Sequence, residues 1–161
     1  DLIIRTLVAP SDDYIVVHMR NWYWELKNMS LDTWFAVYEQ IFAGRDNLKV
    51  VCVGGRTDHF VDLPMFVDAR GDLAPQQLKV LIAGARCFVG TDSAPYHCAA
   101  ATDTPIVSLH THLLPERIVP YRHGSYGWQV TPVLADIDCV GCNDRQSRPV
   151  SQIACERGDM P

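Results

Sequence analysis

Apolar residues along the chain fall into short runs separated by stretches of helical spacing. Residues 14–19, YIVVHM, form a β-branched run of the buried-strand type, and the turn-rich aromatic stretch RNWYWELKN follows as a loop. From Ser30 the period changes. Leu31, Trp34, Phe35, Tyr38, Ile41 and Phe42 recur at helical spacing, with Ser30 placed to cap the helix and Gly44 to stop it. LKVVCVGG, residues 48–55, predicts a second buried strand ending in a glycine pair that lets the backbone turn sharply. A mostly irregular connection, with a short apolar run at residues 65–67, leads to a helix predicted over 75–86. Pro75 lies in its first turn and Leu78, Leu81, Ile82 and Ala85 share one face. CFVG, SAPYHCAAAT and PIVSLH then predict a strand, a helix and a strand.

Strands alternating with helices at this spacing imply βα units. The fold class is therefore α/β, a Rossmann-like parallel sheet with helices on both faces. After His110 the alternation is lost in a stretch, 113–161, rich in Pro, Gly and Arg, and residues 139–161 are expected to form an irregular Cys-containing tail. The chain shows no internal repeat and no low-complexity tract.

Composition narrows the function classes. A chain of 161 residues suits one domain, and no apolar run approaches the roughly 20 residues of a transmembrane helix. A net charge of -5 argues against a surface built to hold nucleic acid through its phosphates. The chain starts at Asp1, without the basic start and apolar centre of a signal peptide, and is expected to be cut from something larger. Cys52, Cys87 and Cys98 lie in apolar runs as reduced core residues, whereas Cys139, Cys142 and Cys155 fall in the polar tail.

The segment of 88–110, FVGTDSAPYHCAAATDTPIVSLH, carries the candidate chemistry. A strand stopping near Gly90 and a helix opening at Asp92 or Ser93 leave backbone N–H groups pointing at one spot, where a phosphate would fit. The amides of Ser93, Ala94 and Tyr96 are the candidate donors, with the Ser93 hydroxyl added; Pro95 has none to give. Asp92 would repel a phosphate set against it, so it either accepts hydrogen bonds from sugar hydroxyls or caps the helix. His97, one helical turn past Ser93, either donates to a ligand or packs.

This segment resembles the signature of glycosyltransferase family 9, the ADP-heptose:lipopolysaccharide heptosyltransferases, in which Asp-Ser/Thr-Gly-Pro-x-His-x-Ala-x-Ala joins two strands. Asp92, Ser93, Pro95, His97, Ala99 and Ala101 match, and Ala94 departs from the usual Gly, which narrows the backbone angles and the room for a phosphate. Upstream, VVHMRNWYWELKNMSLDTWFAVYEQI and VVCVGGRTDHF resemble other family segments. The resemblance implies a phosphate-binding role for Lys27 and a ribose-binding role for Asp58. It also implies the C-terminal, donor-binding half of a GT-B fold and inverting transfer from a nucleotide sugar such as ADP-heptose to a glycan or protein acceptor. The general base and most of the acceptor surface would come from an N-terminal GT-B domain, so no catalytic residue is assigned to this chain. A cytoplasmic location in a bacterium, at the inner face of the membrane, goes with that reading.

Ordinary alternatives stand beside these roles. Lys27 suits a solvated surface and Asp58 a turn, while Trp22, Tyr23 and Trp24 suit either a cleft wall or packing. His110 and His112 are read as cleft-edge residues. A non-catalytic binding or assembly module of the same fold is the second reading, and another GT-B enzyme such as a UDP-sugar epimerase the third. In the tail, Cys139 and Cys142 have the spacing of a metal knuckle, with Cys155 following and His123 as a candidate fourth ligand. Structural thiols are the first reading, a structural zinc or iron the second and a redox pair the last. Some members of the family carry a Cys-x-x-Cys here, and a subset holds a metal.

Overall fold

Period-two alternation along β1 (Asp13–His18) sends Tyr14 and Val16 into one apolar layer and Ile15 and Val17 into another, so the strand is buried on both faces. The same division recurs in β2 (Leu48–Cys52), where Val51 faces the first layer and Val50 and Cys52 the second. The computed structural model describes residues 2–21, 27–45, 47–136 and 140–142. Within them β3 (Phe66–Asp68), β4 (Phe88–Thr91), β5 (Ile106–His110) and β8 (Val130–Leu134) join these two in a six-stranded sheet. Its order is β3-β2-β1-β4-β5-β8 and every pairing is parallel. A two-stranded antiparallel hairpin, β6 (Tyr121–Arg122) and β7 (Ser125–Tyr126), stands apart.

Helices α1 (Leu2–Leu7), α3 (Pro75–Ala83) and α4 (Ala94–Ala100) cover the first layer, and α2 (Leu31–Phe42) covers the second. A short α5 (Pro115–Ile118) follows β5. Ser30 caps α2 by accepting from Thr33 N–H, and Trp34 and Tyr38 are the residues it buries, stacked on one another at 5.9 Å. Helix α3 ends at Ala83 rather than continuing to Arg86. Its last carbonyls are taken from outside the helix, Leu81 O by the Tyr14 hydroxyl at 2.7 Å and Ile82 O by the Thr104 hydroxyl at 2.7 Å, with Gly84 closing the turn. Burial raises the Tyr14 phenol above its ordinary range, so the hydroxyl remains a donor. Tyr14→Phe is expected to cost about 1 kcal/mol in urea denaturation, because Leu81 O loses the shorter of its two hydrogen bonds and keeps only the Gly84 N–H at 3.3 Å.

After His110, where the alternation in the sequence is lost, β8 extends the sheet beside β5, while the expected irregular tail, 139–161, lies outside the described residues except for 140–142. Pro132 has no N–H to give to a ladder, which an edge strand tolerates, and four of the five residues of β8 are exposed. An edge strand with so little buried surface carries no alternation to read. Arg122 ties the hairpin to the body of the fold by donating to Thr102 O and Thr104 O, and to Trp128 O and Gln129 O. No helix among the described residues is long and apolar enough to cross a membrane.

Candidate functional site

The chain leaves β1 toward β2 on one side of the sheet and β4 toward β5 on the other, so the order reverses between β1 and β4. Crevices at such points, outside the carboxyl ends of the strands, are where open parallel sheets bind ligands. A cleft of about 320 Å³ lies there, bounded by the ends of β1 and β2 and the starts of α3 and α4. Val53, Ala69, Leu73 and Leu78 give it an apolar floor, and His18, Arg20, Asp58 and Ser93 a polar wall.

That wall is built around His18, which sequence reasoning passed over. His18 Nε2 lies 3.0 Å from Asp58 Oδ2 and Nδ1 lies 2.9 Å from Ser93 Oγ, so one imidazole joins three segments far apart in sequence. The Ser93 hydroxyl has a single proton and two acceptors in reach, His18 Nδ1 and Thr91 O, each at 2.9 Å. Whichever takes it, the His18 Nε2–H points at Asp58. Asp58 also accepts from Asn21 N–H at 2.8 Å and Gly55 N–H at 2.7 Å. Burial pushes the Asp58 carboxyl up, but the His18 bond and the two backbone N–H groups outweigh it, and the group is held below the ordinary carboxylate range. Period two was the available signal: His18 follows Tyr14 and Val16 onto the face that α3 and α4 cover.

The expected site residues divide between two neighbouring places. Asp58, Ser93 and Ala94 line the cleft. Lys27, Asp92 and His97 gather around a carboxylate beside it. Lys27 Nζ lies 2.5 Å from Asp92 Oδ2, and His97 Nε2 lies 3.3 Å from Asp92 Oδ1. Lys27 is only 9% exposed, so its charge is balanced by Asp92 and is not solvated at a surface.

The proposed donor set at α4 is smaller than the sequence implied. Ser93 is the N-cap, and its hydroxyl serves Thr91, His18 and the Tyr96 N–H, which takes both the hydroxyl and the Tyr96 amide into the fold. Ala94 sits helically at the first position of α4. The non-glycine residues of positive φ among those described are His123 and Gln129, so alanine carries no backbone strain at 94.

Several other expectations meet the structure differently. His110 and His112, read as cleft-edge residues, are buried, and both line a small pocket together with Lys27 and Asp92. Burial lowers the basicity of His110, whose Nε2 lies 2.8 Å from Ser108 Oγ. Trp22, Tyr23, Trp24, Cys139 and Cys155 lie outside the described residues. Cys142 falls within 140–142, while His123 bonds Asp103 Oδ1 at 2.7 Å and packs against Trp128. Among the described residues no three His, Cys, Asp or Glu side chains gather as a metal site.

A larger groove, about 700 Å³, opens beside α2 near the amino ends of β1, β2 and β4. Ile15, Val37, Ile41, Val89, Val107 and Val133 line it, with Arg86 and Asp13 bonded to each other and Arg45 donating to Ile41 O. It is sheet face left bare beside a single helix, its charged side chains are engaged with one another or with the backbone, and the smaller cleft is the better candidate.

Fold and cleft together define a doubly wound α/β domain with a cleft at its topological switch point. The sequence profile of glycosyltransferase family 9 (heptosyltransferase) matches residues 44–149, and the chain belongs to that family. Solved structures share the fold. E. coli ADP-heptose LPS heptosyltransferase II superposes with a TM-score of 0.64 at 16% identity, over 87% of this chain and 46% of its own. A family 9 glycosyltransferase from Veillonella parvula gives 0.62 at 18% identity, over 83% and 39%. The iron-containing dodecameric glycosyltransferase TibC from enterotoxigenic E. coli gives 0.62 at 21% identity, over 83% and 34%. This chain thus spans less than half the length of each of these proteins. A search among curated protein sequences returned no match.

Proposed function

We propose that the cleft between β1 and β4 binds the nucleoside diphosphate part of a sugar nucleotide, and that the chain is the donor-binding portion of a glycosyltransferase. The observation that carries this is the joining of a polar wall to an apolar floor at the one point where the sheet order reverses. The floor of Val53, Leu73 and Leu78 suits a nucleoside, and the wall of Arg20, His18 and Ser93 suits the phosphates. The Lys27–Asp92–His97 group next to α4 faces the sugar end. Asp92, fixed by Lys27, orients sugar hydroxyls, and Asp58 bears on the ribose side of the cleft while bracing His18. An acceptor hydroxyl then attacks the anomeric carbon with inversion while the nucleoside diphosphate leaves. A separate acceptor-binding domain supplies the general base.

ADP-heptose is the donor favoured, on the name of the E. coli heptosyltransferase whose fold this chain shares. Calorimetric titration with ADP, GDP, UDP and CDP is expected to show selective ADP binding. Preference for UDP, with turnover of a UDP-sugar in the absence of an acceptor, would favour an epimerase instead. Asp92→Asn is expected to weaken an ADP-sugar several-fold more than ADP; equal affinity for both in variant and wild type would remove Asp92 from the site.

A further inference from the structure

The cations around the cleft differ in one respect, whether an acid already balances them. Arg56 is paired with Asp72, Arg70 with Asp68 and Lys27 with Asp92. Arg20 lines the cleft two residues beyond His18, and no acid pairs with it among the described residues. Its Nε is buried and has no hydrogen-bond partner. Buried polar atoms are nearly always satisfied, so a buried guanidinium nitrogen without an acceptor, on a side chain that lines the cleft, marks the place of an acceptor that no described residue provides.

The acids nearby do not fill that role. Both Asp58 oxygens are engaged, Oδ1 by Asn21 N–H and Oδ2 by His18 and Gly55 N–H. Asp92 is engaged by Lys27 and His97 and is not part of the cleft lining. Among the described residues no acceptor is left for it, and an anionic ligand in the cleft would supply one and offset a full positive charge in a partly apolar setting. A guanidinium presents paired donors in a plane, which matches two oxygens of a phosphate, whereas an ammonium acts as a point charge.

We infer that Arg20, rather than Lys27, is the cation that meets the diphosphate of the bound nucleotide, through a bidentate contact. Lys27 is a positioning residue that holds Asp92. This rests on the donor-site reading given above, and it names the residue on which that site's affinity for phosphate depends.

The test is titration of the 161-residue chain with ADP and with adenosine, at low and at moderate salt, for wild type, Arg20→Gln and Arg20→Lys. Arg20→Gln is expected to weaken ADP at least tenfold, to flatten the salt dependence of ADP binding and to leave adenosine unchanged. Arg20→Lys is expected to recover part of the loss. Because Arg20 makes no hydrogen bond through Nε, Arg20→Gln should melt at or above the wild-type temperature, which separates a lost contact from a lost fold. Wild-type affinity for ADP in Arg20→Gln would overturn the inference and leave the donor site standing, as would an equal loss of ADP and adenosine. A wild-type chain that binds neither compound would overturn both.

Discussion

Replacing Asp58 by alanine is expected to destabilise the chain by about 3 kcal/mol or more, because it leaves several buried donors without their acceptor at about 1–3 kcal/mol each. Asp58 is 8% exposed, and His18, its partner, is 3% exposed. The substitution strands three donors at once: the His18 Nε2–H, the Asn21 N–H and the Gly55 N–H. The loss is several-fold larger than that for Tyr14→Phe because the stranded groups include a charged or strongly polar ring as well as two backbone amides. Urea denaturation measures it, and a loss below about 1 kcal/mol would mean that the bracket around His18 contributes little to the fold.

The same carboxylate sets an acid limit. Its folded value lies below the ordinary 3.8, so its contribution to stability is complete above that value and is lost as the pH falls through the depressed folded value. Wild type should therefore lose stability relative to Asp58→Ala as the pH is taken below about 4, and the gap between them should close. A gap that stays constant to pH 2 would assign the Asp58 effect to packing rather than charge.

Gly54→Ala is expected to cost about 3 kcal/mol or more, and Gly55→Ala less than about 1 kcal/mol, although the two glycines are adjacent. Gly54 has φ 125°, a conformation L-residues rarely adopt. A Cβ there would stand 2.3 Å from Asp58 Oδ2 and 2.6 Å from His18 Cδ2, and would force the His18–Asp58 bridge apart. At Gly55 the nearest atom is Asp58 Oδ2 at 3.7 Å, an ordinary contact. Because the damage falls on the polar wall of the cleft, Gly54→Ala should also lose nucleotide affinity, while Gly55→Ala should keep most of it. Equal costs for the two would remove Gly54 from the account of how the wall is held.

Much of the scaffold was legible because its signals are local. The buried runs of β1, β4 and β5 and the helical spacing of α2 place those elements within a residue or two, β2 starts where its run does but stops at Cys52, and Ser30 and Ser93 cap the helices they precede. What stayed hidden depends on distant partners. Helix α3 stops early because the hydroxyls of Tyr14 and Thr104 meet its end from elsewhere in the chain. β8 carries no alternation because it is an exposed edge.

The site divides the same way. Asp92 and Ser93 stand out at a strand-to-helix junction, but the Lys27–Asp92 pair joins residues 65 apart, and nothing in either neighbourhood announces the other. Lys27, taken alone, suits a solvated surface; only the family resemblance gives it a phosphate, and the fold sets it against Asp92. Arg20 sits in a turn-rich stretch where an arginine is unremarkable, and its significance lies in the absence of a partner among the described residues.

The most direct test of the donor-site claim is a ¹H–¹⁵N correlation spectrum of the labelled chain during titration with ADP. The account predicts that shifts concentrate in residues 18–21, 53–58 and 93–98, the segments that wall the cleft, with the groove beside α2 left unperturbed. Shifts centred instead on Ile15, Val107 and Val133, or no shifts at saturating ADP, would contradict it.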